Sequence, residues 1–231
     1  MKLLFILIVT VLVITVTIRE QKLLALRKIY IDIHPSLIGF QLPGSLWRQV
    51  CKRLFDIIFS AAVLLTIFPL LFFILTPLIK IASSGPVFFV QYRLGIFGKP
   101  FKCYKFRSMR QNPGTAPVSV NDPRIPPIGK FIRRTHLDEF PQFFNVLTGD
   151  MSLVGPRPLQ AKIYREFSNY EKGLLRLTIR PGLTGLAQMN VARNLNPDKT
   201  IKNDLYYIRK LSLRMDLKLI FQTLRLTDHS Y

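Results

Sequence analysis

Apolar positions crowd the first third of the chain and then break into short runs. Residues 3–18, LLFILIVTVLVITVTI, carry no charge, and a helix of them reaches about 24 Å at ~1.5 Å per residue, enough for a thin bilayer. The stretch lacks the hydrophilic tail and small-residue cleavage site of a secretory signal. Lys2 precedes it and Arg19, Lys22, Arg27 and Lys28 follow, so the positive-inside tendency turns its C-terminal end to the cytoplasm. A buried or surface-lying helix fits the same pattern. Residues 21–49 then mix charge with HPSLIGFQLPGS and read as a linker.

The second apolar block, residues 57–79, is also uncharged and long enough for a straight span of about 34 Å. Pro69 stands at its middle, with no N–H to donate and with its ring against the carbonyl of Leu65, which predicts a bend. Arg48, Lys52 and Arg53 precede the block, and Lys80, Arg93, Lys99, Lys102 and Lys105 follow it. Both ends therefore favour the same side of a membrane. A helix that enters, breaks near Pro69 and returns meets that preference, with Ser60 or Thr66 satisfying freed carbonyls. A kinked spanning helix fits the apolar pattern too, and both readings stay open at this point.

Beyond Ser84 the pattern becomes that of a globular domain. Residues 86–109 hold two aromatic-rich runs around LGIFGKP and predict a β-hairpin. Residues 112–129 are rich in Pro and Gly and predict a long loop, either a lid or binding element or an inert connection. Pro141 suits the first position of a helix through PQFFNVL, which leaves Asp138 and Glu139 at or just before its N-terminus. A start at Thr135 would instead require Pro141 to kink the first turns. Residues 214–226 set Arg214, Lys218 and Arg225 among apolar clusters at helical spacing, as in a basic helix lying on a membrane or packed on the core.

The 231 residues are 49% hydrophobic, more than one ordinary core takes up, so some of this surface is expected to meet lipid. The formal charge of +20 points to an anionic partner: nucleic acid, phospholipid head groups or a phosphorylated substrate. The aromatic-basic motifs of a nucleic-acid reader do not occur. Cys51 and Cys103 stand without zinc-site spacing and are expected as packing thiols in a reducing compartment.

Against this basic background, the adjacent Asp138 and Glu139 need an account. Acids near a helix start complement its dipole for ~0.3–1 kcal/mol, and an isolated pair needs no more than that. Here Arg133 and Arg134 lie just upstream, Arg157 follows on the Gly-Pro-Arg-Pro turn, and Arg180 sits in a second Arg-Pro-Gly turn. Arginines on stiff turns suit bidentate phosphate contact, with Gly permitting close backbone approach. Acids among them suggest phosphoryl transfer, in which a carboxylate attacks phosphorus or holds Mg²⁺.

In order, the chain carries KRLFD, the Pro-interrupted block, GPVFFVQYRLGIFGKPFKCYKFRSM, DPRI, LDEFPQFFNVLTGDMSLVGPRP and RPGLTGLAQ. Over roughly residues 50–225 this set resembles the bacterial sugar transferases, monotopic phosphoglycosyl transferases that move a sugar 1-phosphate from a nucleoside-diphosphate sugar to polyprenyl phosphate. The resemblance implies a re-entrant anchor that does not cross the bilayer, and a catalytic domain facing the cytoplasm at the bacterial inner membrane. It implies Mg²⁺ as cofactor, and a UDP-sugar, polyprenyl phosphate and anionic lipids as partners, with a homodimer allowed and nucleic acid excluded. Asp138 takes the role of nucleophile, forming a phosphosugar ester as UMP leaves. Glu139 is the second acid and, with Asp138, the metal ligand. Lys105, Arg133 and Arg157 become phosphate contacts and Arg180 a further substrate-binding candidate; Asp122 is nominated to the site as well, and for both Arg180 and Asp122 a salt-bridge or turn role is the equal alternative.

Departures from the family pattern are local. Phe68 precedes Pro69 where members often have Ser, and Leu186 and the shifted Arg193 replace a Trp- and Arg-containing motif, which leaves the donor sugar open. His136 is expected to be a bystander. The fold expected is α+β: a re-entrant helix-break-helix hairpin with a small cytoplasmic α/β catalytic domain and interfacial amphipathic helices. Its divisions would be an apolar segment 1–20, a linker 21–49, a membrane hairpin 50–82 broken at Pro69, and a catalytic domain 83–231. A catalytically silent scaffold of a polysaccharide complex and a membrane-tethered nucleic-acid-binding protein are the readings from other classes.

Overall fold

The computed structural model describes residues 2–34, 45–111, 122–160, 173–190 and 197–225. Two long helices open the chain, α1 (Lys2–Asp32) and α2 (Leu46–Ala82). An antiparallel hairpin follows, β1 (Phe88–Leu94) and β2 (Pro100–Phe106), with Phe88 opposite Phe106 and Leu94 opposite Pro100. Next come α3 (Pro127–Arg134), α4 (Gln142–Thr148) and β3 (Ser152–Val154), which pairs in parallel with β4 (Gly182–Thr184). Then follow α5 (Leu186–Asn190), α6 (Pro197–Lys210) and α7 (Leu213–Arg225). Helices around two small sheets make an α+β fold, and the hairpin lies where its aromatic runs predict it.

The linker reading of residues 21–49 is corrected at both ends, because α1 runs on to Asp32 and α2 already begins at Leu46. Residues 35–44 lie outside the described residues. Leu, Ala, Lys and Arg in residues 22–28 are good helix formers, and Val16, Glu20, Arg27 and Ile31 are buried at four- and seven-residue spacing, one helical stripe. The first half of α1 is different. Leu4, Phe5, Ile6, Leu7, Ile8, Val11, Ile14 and Ile18 are all exposed.

The break expected at Pro69 is also corrected: Leu46–Ala82 is one helix with Pro69 and Pro77 inside it. A proline removes a single donor and displaces a single carbonyl. Here aromatic contacts on both sides hold the helix to the domain. Phe68 stacks on Phe106 with ring centroids 5.8 Å apart and meets Phe144 edge-on at 5.1 Å, while Phe72 stacks on Phe88 at 5.9 Å. Thr66 Oγ1 donates to the Ala62 carbonyl (2.7 Å), not to Leu65. Both ends of α2 grip the same body: Lys52 Nζ lies 2.6 Å from Asp216 Oδ2 on α7, and Arg107 donates to the Ser83 and Ser84 carbonyls, each at 2.5 Å.

Two cores result. One joins β2, α4, β3, α6 and α7 through Phe101, Cys103, Val146, Leu153, Tyr207 and Leu219; the other joins α2 to the hairpin and α3 through Leu75, Ile79, Phe106 and Ile132. Cys103 is a buried packing thiol, and Cys51 is partly buried and free. The loop expected over 112–129 ends early, since α3 begins at Pro127, where a missing N–H costs nothing; residues 112–121 lie outside the described residues. On α7, Asp216 and Leu219 face the core while Leu217, Phe221 and Leu224 are exposed, so the helix packs on the body and still offers an apolar face.

Candidate active site

The paired acids sit on a 3₁₀ turn, Leu137–Glu139, between α3 and α4. His136 adopts a left-handed conformation (φ 55°) that reverses the chain after α3, and Pro141 leads directly into α4. The acids thus stand just before the helix, as the position of Pro141 predicts. Leu137 and Phe140 pin the turn to the second core.

The short helix α4 is held with unusual thoroughness at its C-terminal end, where carbonyls lack partners inside the helix. Arg53 donates to the Val146 (2.7 Å) and Leu147 (2.9 Å) carbonyls, Arg19 to Thr148 (3.2 Å) and Arg180 to Gly149 (3.1 Å). Cations there also suit the helix dipole. Asn145, fully buried, ties α4 to β2: its Oδ1 accepts from the Tyr104 N–H (3.1 Å) and its Nδ2 donates to the Lys102 carbonyl (2.7 Å). That tether sets the position of Lys105, next along the strand.

Lys105 Nζ stands 2.6 Å from Glu139 Oε1 and 3.7 Å from Asp138 Oδ2, between the two acids. Burial pushes the Asp138 carboxyl up to about 6, with Lys105 opposing the rise and the Glu139 charge adding to it. Burial acts on Glu139 in the same direction, but Lys105 and Arg157 outweigh it and hold that carboxyl at about 2. The cations thus favour the ionised form of Glu139, and burial favours the protonated form of Asp138. Carboxyls separated in this way can take different roles.

Of the predicted phosphate contacts, the fold brings Lys105, Arg133 and Arg157 to the pair. Arg133 is an electrostatic neighbour of Asp138 and is oriented by its Nε, which donates to Ser108 Oγ (2.8 Å). Arg157 is exposed and near Glu139. Arg180 is elsewhere: its guanidinium is buried in a bidentate pair with Glu20 of α1, at 2.7 and 3.3 Å, so its phosphate reading gives way to a structural one. Asp122 is likewise structural, holding Arg124 in the turn that leads to α3. His136 serves through its backbone and lies close enough to lower the Glu139 pKa. Leu186 packs against the first core, and residue 193 lies outside the described residues.

The close approach permitted by glycine is between motifs. A Cβ on Gly155 would meet the Arg180 carbonyl at 2.5 Å and one on Gly182 would collide with the Gly155 N–H, so the Gly155-Pro156 and Pro181-Gly182 turns interlock to form the β3–β4 pairing. Three supporting residues escaped sequence reasoning. Arg93 donates to the Pro158 carbonyl (3.0 Å) and Arg176 to that of Arg157 (3.3 Å), which positions the Arg157 turn, and Asn145 sets the strand. For Arg176 the one local sign was an arginine amid GLLRLT, a run otherwise fit for burial; it pairs with buried Asp204 at 2.9 Å.

Among the described residues, no group of three or more metal-ligating side chains occurs. Two adjacent carboxylates, one of them held ionised, still fit Mg²⁺, which commonly takes one or two protein carboxylates, waters and substrate phosphates.

Residues 47–228 match the protein family described as bacterial sugar transferase. A UDP-glucose:undecaprenyl-phosphate glucose-1-phosphate transferase of Klebsiella pneumoniae is 44% identical over 198 residues, 82% of this chain and 42% of that protein. A UDP-N-acetylgalactosamine-undecaprenyl-phosphate N-acetylgalactosaminephosphotransferase of Aeromonas hydrophila is 39% identical over 200 residues, 84% of this chain and 47% of its own. The chain thus spans less than half the length of either transferase. An exopolysaccharide production protein of Rhizobium leguminosarum bv. phaseoli is 45% identical over 190 residues, 75% of this chain and 93% of its own.

Proposed function

The chain belongs to the bacterial sugar transferase family, and from that premise we propose that it transfers a sugar 1-phosphate from a UDP-sugar to polyprenyl phosphate in polysaccharide assembly. The observation that carries the reading is the Asp138–Glu139 pair bridged by Lys105 and bordered by Arg133 and Arg157. Asp138, once deprotonated, attacks the sugar-bearing phosphorus through a carboxylate oxygen. The bond from that phosphorus to the bridging oxygen breaks, and UMP leaves with the electron pair. A phosphate oxygen of the polyprenyl acceptor then attacks the same phosphorus, the bond from phosphorus to the Asp138 oxygen breaks, and the Asp138 carboxylate leaves with the electron pair. Lys105, Arg133 and Arg157 neutralise the phosphates during both transfers. Glu139 and Asp138 would hold Mg²⁺, which would supply further neutralisation of phosphate charge.

The membrane disposition belongs to the same proposal. α2 lies along one leaflet with both ends on the cytoplasmic face of the bacterial inner membrane, α1 anchors by its apolar first half, and the basic surface meets anionic lipid. Two facts support this reading: the grip of both α2 ends on one catalytic body, and the exposed Leu65, Leu70, Phe73 and Ile81 along the helix. A homodimer is compatible with it, and nucleic acid has no part in it.

Purified protein with Mg²⁺, polyprenyl phosphate and a panel of UDP-sugars tests the reaction. Lipid-dependent UMP release from one donor, lost in Asp138→Asn, is expected and names the sugar; the glucose and N-acetylgalactosamine donors of the named relatives head the panel. UMP release that survives Asp138→Asn would sink the covalent scheme.

A further inference from the structure

Away from the acid pair, a cavity of about 30 Å³ lies where α1 crosses the start of α2 against β3. Glu20, Arg27, Lys52, Arg53, Ser152 and Arg180 line it, so cations outnumber acids. Arg180 is matched by Glu20 (2.7 Å) and Lys52 by Asp216 (2.6 Å). Arg53 is bound to the Val146 and Leu147 carbonyls and Arg27 to the Gln49 side chain, all uncharged acceptors. Four cations, Arg27, Lys52, Arg53 and Arg180, thus meet three carboxylates, Glu20, Asp56 and Asp216, and Asp56 is partly engaged by the Leu153 N–H. Positive charge is left over in a place where charges need partners.

Two polar atoms mark where a partner would sit. Arg27 Nε and Ser152 Oγ reach no hydrogen-bond acceptor or donor among the described residues, and these residues are 4% and 1% exposed. A water needs ~10–15 Å³ of such space, so the cavity holds about two waters or one compact ion. A nucleotide or a lipid head group is too large. Water would satisfy the two atoms but would leave the excess charge in place. We propose that this cavity binds a compact monovalent anion of the chloride class, which neutralises the buried arginines and fastens α1 to the catalytic body.

Thermal unfolding of the full chain in uncharged detergent tests the site, with sodium gluconate exchanged for sodium chloride at constant ionic strength near neutral pH. Chloride should raise Tm saturably, by on the order of 5 °C, bromide should substitute for it, and Arg27→Gln should lose the response. Equal Tm values in the two salts, or an undiminished chloride response in Arg27→Gln, would overturn the proposal. Should Arg27→Gln fail to fold, Ser152→Ala keeps every charge and removes only the cavity hydroxyl. It should raise the half-effective chloride concentration about tenfold, and an unchanged value would overturn the proposal equally.

Discussion

Asp138 is held in a form that costs the fold something. Its carboxyl titrates at about 6 in the folded chain against an ordinary 3.8, so the folded protein keeps a proton that the unfolded chain has released. The stability this proton confers is full below about pH 4 and is lost as pH rises through about 6. Asp138→Asn should therefore melt above wild type near pH 8, by up to about 3 kcal/mol, because each tenfold change in acidity is worth ~1.4 kcal/mol. The gain should vanish near pH 3.5. Melting curves at the two pH values check it; a gain of equal size at both would mean that ionisation is not its source. Lys105 acts on the same carboxyl in the opposite sense, since its charge lowers both acids. With Lys105→Met, the acidic limb of UMP release, expected near pH 6 in wild type, should move to higher pH while the rate at neutrality falls. A limb that does not move would restrict Lys105 to the substrate phosphates.

α4 is a seven-residue helix that sets the spacing between the acids and β2, and it depends on residues remote in sequence. Asn145→Ala would leave the Tyr104 N–H and Lys102 carbonyl unpaired at the strand that carries Lys105. The expected loss is about 2–4 kcal/mol, read as a lower Tm, together with reduced UMP release as Lys105 drifts from the pair. Normal activity at reduced Tm would show that the tether serves stability alone. The parts of this arrangement that were legible in the sequence are the local ones. The hairpin follows from aromatic runs on either side of LGIFGKP, and the dyad turn follows from Pro141, because both signals lie within a few residues of what they determine. Long-range partners leave no such trace. Arg180 reads as a phosphate ligand from its turn, yet its partner Glu20 is 160 residues away on a helix whose second half resembles a linker. The glycines of these turns read correctly as sites of close approach, but what approaches Gly155 is Gly182 and not a phosphate. Pro69 reads as a break because its own residue demands one; stacking of Phe68 and Phe72 on the hairpin, invisible in sequence, keeps the helix whole.

At the scale of the molecule, apolar and basic surfaces must agree on one position relative to a bilayer. α2 is 37 residues long, about 56 Å at ~1.5 Å per residue, well beyond a hydrocarbon core of ~30 Å. A perpendicular crossing would carry its far end, with Arg107 and the hairpin, to the opposite side from Asp216 and α7. The proposed one-sided placement instead agrees with the contacts, since Lys52 at one end and Ser83 and Ser84 at the other are bound to elements sharing the same packed body. Exposed Phe221 and Leu224 on α7, and Phe89 and Tyr92 on β1, add apolar surface on that body, as an interfacial seat requires. Single cysteines at exposed Ser45 and Ser84, in a background with Cys51 and Cys103 replaced, should therefore react with an impermeant maleimide from one side of the membrane only, and from the same side. In inverted vesicles both should label, and in right-side-out vesicles neither should. Labelling of the two positions from opposite sides would require α2 to cross the bilayer and its contacts with α7 or with Arg107 to be absent in the membrane.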